Sequence, residues 1–93
     1  MALSQGMIQR FKKLASDKND CLMLVNMGYY GKIYGYLREV GADYFVMQEM
    51  YNDIRGVLKP VGNKTINLEL AVDYTERIPA FVVPSPFPKV VGF

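Results

Sequence analysis

The chain contains no histidine, and Cys21 is its only cysteine. A lone cysteine cannot close an internal disulfide, which excludes a disulfide-stapled extracellular scaffold. Zinc sites need clustered cysteine and histidine, so no metal site is expected. Without histidine the commonest general base is missing, and the remaining residues offer no nucleophile–base pair. No catalytic residue, no cofactor and no enzyme activity are therefore expected. Cys21 opens the apolar run Cys21-Leu22-Met23-Leu24-Val25, where a buried and inert thiol is the expected state. No apolar stretch approaches the roughly 18 residues that cross a bilayer. The start Met1-Ala2-Leu3-Ser4-Gln5-Gly6 lacks the basic opening and apolar centre of a signal peptide. No membrane partner is expected, and a cytoplasmic location follows by default. A strong excess of one charge is missing too. Eleven Lys and Arg stand against nine Asp and Glu, a net +2. That is too mild to mark a nucleic-acid binder, although a ring of copies would multiply it. There is no internal repeat.

What the chain does have is apolar residues. They make up 51% of its 93 positions, more than a domain of this size easily buries alone. Contact with other copies is the economical way to cover the excess. Ninety-three residues leave room for one core and no second domain.

Leu3, Met7, Ile8, Phe11, Leu14 and Ala15 recur at steps of three and four, which predicts an amphipathic helix over about residues 3–15. Ser4 is its expected N-cap, and the polar cluster Ser16-Asp17-Lys18-Asn19-Asp20 ends it. From Cys21 the period changes to two. Strands are predicted at Cys21–Met27, Tyr29–Val40, Tyr44–Tyr51, Thr65–Tyr74 and Ile78–Val83. In the second, Ile33 and Leu37 share a face with Gly31 and Gly35, opposite Lys32, Tyr34, Tyr36 and Arg38. Glycines in a strand mark a bend or a close backbone approach. Residues 52–64, with Gly56, Pro60, Gly62 and Asn63, read as a loop or extended hairpin tip. In the fourth strand Ile66, Leu68, Leu70, Val72 and Tyr74 alternate with polar neighbours, as on a half-buried antiparallel sheet. Leu37, Leu68 and Leu70 are expected in the core. Thr75-Glu76-Arg77 is a tight turn into the fifth strand, where Pro79 deletes a ladder donor. Residues 84–93 form a Pro-rich tail.

One helix followed by five short strands, with Gly35-Tyr36-Leu37-Arg38 in the second, resembles the Sm-like family of Sm, LSm and Hfq proteins. The resemblance covers residues 1–83. It implies a mainly β fold: an N-terminal α-helix and a five-stranded, strongly bent antiparallel barrel of the SH3-like kind. It also implies a homo-oligomeric ring of about five to seven copies, in which the fourth strand of one copy pairs with the fifth of the next. The implied function is single-stranded RNA binding, as an RNA chaperone or scaffold. A protein–protein assembly module without nucleic-acid binding is the alternative. Gly41 stands where the family has an aspartate, and Phe45 where it has the asparagine that bonds uracil. Ile54-Arg55-Gly56 copies the family's second motif but precedes the best strand, whereas Ile78-Pro79-Ala80 holds the expected place without the arginine. Asp43 and Tyr44 in one loop, and Arg77 beside the other, are the implied RNA contacts.

Overall fold

The computed structural model describes residues 3–17 and 21–86. Helix α1 spans Gln5–Ser16. Its start follows from Ser4, whose hydroxyl accepts the Met7 N–H at 3.3 Å. Its end follows from Asp17, extended in backbone, with its N–H on the Lys13 carbonyl at 3.0 Å. Lys18, Asn19 and Asp20 lie outside the described residues.

Five strands follow: β1 Leu22–Asn26, β2 Lys32–Val40, β3 Tyr44–Asn52, β4 Leu58–Asn67 and β5 Asp73–Thr75. All pairings are antiparallel, in the order β4-β3-β2-β1-β5. The protein is mainly β, with one N-terminal helix and a single five-stranded sheet whose strands do not close into a barrel. β4 and β5 are its two edges.

Three strand assignments are corrected, and one open alternative is decided. The second strand starts at Lys32, because Gly28–Tyr30 forms a 3₁₀ turn. Of the two readings of residues 52–64, the extended hairpin tip holds and the loop does not: β3 runs to Asn52, Asp53–Gly56 turns the chain, and β4 starts at Leu58. Pro60 and Gly62 are tolerated there because β4 is an edge with a bulge, Gly62 pairing Glu49 while Pro60 pairs Met50. The alternation of 65–74 does not make one strand. β4 stops at Asn67, Leu68–Leu70 is a 3₁₀ turn, and β5 is Asp73–Thr75. Residues 78–83 are likewise no ladder strand, since only the Ile78 N–H reaches Leu22 O before Ala80–Val82 winds into a 3₁₀ turn.

The core lies between α1 and one sheet face. Phe11 is fully buried, its ring 5.6 Å from Phe45 edge-on and 4.8 Å from Tyr74. Met23 and Val25 of β1, Ile33 and Leu37 of β2, and Phe45 and Met47 of β3 complete that face. Leu68 and Ala71 close over it from the β4–β5 connection. Leu37 and Leu68 are buried as expected, but Leu70 is only half-buried and Val72 is exposed. Cys21 is half-buried against this core.

Gly35 sets where β2 and β3 part. A Cβ there would lie 2.0 Å from the Gln48 carbonyl oxygen, so only glycine permits this approach. The β2–β3 ladder ends at the Gly35–Glu49 pair, while β3 continues beside β4 to Asn52. The C-terminal segment enters the gap. The Asn52 N–H donates to Pro84 O at 3.1 Å, and Asn52 Nδ2 donates to Ala80 O at 2.9 Å and Val83 O at 2.8 Å. Residues 78–84 thus run as a strap from the start of β1 to the end of β3. Leu22, which alternates with the core residue Met23, is buried on the opposite sheet face, and Val83 is buried outside the core cluster. The Pro-rich tail beyond Pro86 lies outside the described residues.

Candidate nucleic-acid interface

The β2–β3 turn carries Asp43 and Tyr44, and its shape depends on Gly41. The Gly41 N–H donates to Tyr44 O at 2.8 Å, and a Cβ at Gly41 would sit 2.0 Å from the Tyr44 ring. The glycine therefore makes room for Tyr44 to fold back over the turn. The Tyr44 hydroxyl donates to a Glu39 carboxylate oxygen, which raises the phenol's pKa because that bond requires its proton. Tyr44 is half-buried as a result, with only part of its ring available for stacking.

Asp43 joins this turn to the β4–β5 connection, its backbone carbonyl accepting the Leu68 N–H at 2.9 Å. Asn67 Oδ1 accepts the Glu69 N–H at 2.9 Å and starts the 3₁₀ turn. Glu39 and Asp43 both act on the Tyr44 hydroxyl, while residues 68–72 contain no Lys or Arg. A phosphate is poorly served there.

Arg77 stands elsewhere. It follows β5 in the left-handed region, at φ 56°, a conformation that strains a residue other than glycine. With Arg10, Asp17, Cys21 and Ile78 it lines a shallow concavity beside α1 that neither Asp43 nor Tyr44 touches. Its neighbour Glu76 takes a bidentate pair from Arg10, at 2.9 and 2.6 Å. That pair holds the Glu76 carboxyl below its ordinary range, with a smaller contribution from the Arg77 charge. The structure brings Asp43 and Tyr44 together and leaves Arg77 apart from them.

A different surface combines cations with aromatics. The face of β2 opposite the core presents Lys32, Tyr34, Tyr36 and Arg38. The Arg38 guanidinium lies 5.1 Å from the Tyr36 ring centroid, and its Nε donates to Gln48 Oε1 at 2.9 Å. Next along the chain, Tyr29 is 99% exposed in the β1–β2 turn, with Tyr30 edge-on to it at 5.8 Å. The alternation in β2 signals this strip in the sequence, and the tyrosine pair between Gly28 and Gly31 signals the turn. Lys59 and Lys64 of β4 are engaged by Asp53 at 3.2 Å and Glu49 at 2.7 Å. Among the described residues, no three His, Cys, Asp or Glu side chains are grouped to hold a metal, and no helix is long and apolar enough to cross a membrane.

Comparison with family models, with curated proteins and with solved structures finds no match in any of the three.

Proposed function

We propose that this chain is a ring-forming, Sm-like assembly module whose copies join β4 of one to β5 of the next. The observation that carries this reading is the sheet itself, which begins and ends on strands paired on one side only. Unpaired strand edges template further pairing unless they are blunted. β4 is blunted over its first half by Pro60 and the bulge at Val61, but Asn63–Asn67 continues in regular register with β3. That five-residue stretch suits an edge as short as Asp73–Thr75. The ring would hold about five to seven copies, joined head to tail.

The test is a charged edge. Thr65 and Asn67 share one face of β4, and Thr65→Lys with Asn67→Lys follows the way natural edges are blocked. The double variant should keep its circular dichroism and lose mass by light scattering. Unchanged mass would place the contact elsewhere.

Single-stranded RNA is the proposed ligand of the ring, favoured by the strip Lys32-Tyr34-Tyr36-Arg38, where stacking and phosphate neutralisation combine. Fluorescence anisotropy with oligo-uridine and oligo-adenine tests it. Tyr36→Ala and Arg38→Ala should weaken binding more than Tyr44→Ala and Arg77→Ala do. No saturable binding at low salt would leave a protein assembly module without an RNA ligand.

A further inference from the structure

We propose that residues 87–93 dock on their own chain, with Phe87 seated in the groove where β2 and β3 part, and so compete with RNA for Lys32 and Tyr34. The competition rests on the RNA reading proposed above and supplies its regulation.

The groove begins where the β2–β3 ladder ends, at the Gly35–Glu49 pair. Beyond it, Lys32 and Tyr34 of β2 face Met50 and Tyr51 of β3 across open space. Val61, the residue bulged out of β4, lines the same space and is 57% exposed. The cavity measures about 210 Å³ and its walls are mostly apolar. An apolar cavity of about 150 Å³ admits benzene, so this one accepts a phenyl side chain.

The path of the chain selects the occupant. Pro84 and Pro86 line the groove themselves. Asn52 holds them there, its N–H on Pro84 O and its Nδ2 on Val83 O. Phe87 is the next residue, and Val90, Val91 and Phe93 follow it. Prolines at 84, 86 and 88 fix φ at alternate positions, so the segment has little entropy left to lose on docking. Proline-rich segments seat on aromatic-lined grooves for this reason, and Tyr34 and Tyr51 are the aromatic walls here. A tether of one residue from Pro86 also gives Phe87 a high effective concentration at the site.

The consequence is a competition. Lys32 and Tyr34 line the groove and are also half of the strip Lys32-Tyr34-Tyr36-Arg38. A seated Phe87 covers them and leaves Tyr36 and Arg38, so RNA has to displace it to use the whole strip.

A thiol in the groove tests docking without RNA. In a Cys21→Ser background, Val61→Cys should react with a small alkylating reagent about tenfold slower than the same chain carrying Phe87→Ala, the protection expected from burying one phenyl group. The protection should not depend on protein concentration. Equal rates overturn the proposal, and protection that grows with concentration overturns it in favour of exchange between copies. By fluorescence anisotropy, Phe87→Ala alone should bind oligo-uridine about five- to tenfold more tightly than wild type, with an unchanged circular dichroism spectrum. Saturable binding of equal affinity in the two chains overturns the competition. No saturable binding in either refutes the RNA reading, and the thiol rates still decide whether Phe87 occupies the groove.

Discussion

Asn67 decides where β4 stops. It continues the polar half of an alternation that runs unbroken from Thr65 to Tyr74 in the sequence. Its side-chain oxygen, however, captures the Glu69 N–H at 2.9 Å and draws the backbone out of the ladder. The Leu68 N–H then turns to Asp43 O. After that break the faces exchange: Ala71, on the polar side of the sequence pattern, is fully buried, and Val72 is exposed. An alternation count cannot register one asparagine preferring a turn. Mutation separates the two patterns. Leu68→Ala should cost about 2–5 kcal/mol, while Val72→Ala should change stability by no more than about 0.5 kcal/mol. Chemical denaturation measures both, and equal losses would restore the single long strand. Asp43 was legible as a turn residue and Tyr44 as the start of β3, but their engagement with Leu68 and Glu39 was not, since it depends on tertiary contacts.

Among the elements, α1 was readable from its stripe and from Ser4, and β1 to β3 from their change to period two. β4 was left between a loop and a hairpin arm, because Pro60 and Gly62 suit either unless the strand is known to be an edge. The strap was hidden, since its partner is Asn52, remote in the sequence. Asn52→Ala should release the strap and cost about 1–3 kcal/mol, chiefly the penalty for leaving the buried Val83 carbonyl without its donor. Slowed hydrogen exchange persisting at Val83 in that variant would contradict this. The Arg10–Glu76 pair ties α1 to the turn after β5 and makes that contact depend on pH. The folded-state pKa of Glu76 is depressed, so its contribution is complete above the unfolded value of about 4.3. It is lost as pH falls through the lower folded value. Wild type should therefore lose melting temperature below about pH 4.3 more steeply than Glu76→Gln. Some slope should persist in the variant, because Asp53, bonded by the Val57 N–H, is depressed as well. Parallel curves would show that the pair adds nothing.

At the scale of the whole molecule, the sequence carried the composition of the answer, one helix and five strands, but not the arrangement of its ends. The order β4-β3-β2-β1-β5 leaves both terminal strands of the sheet at open edges. Several large apolar side chains, Phe81, Tyr29 and Ile54 among them, remain in solvent. For a chain that is half apolar, association of copies removes both exposures together. Light scattering at micromolar concentration measures that association most directly. A ring predicts a single species of about five to seven times the 10.6 kDa chain mass. A stable species of 10.6 kDa would contradict it.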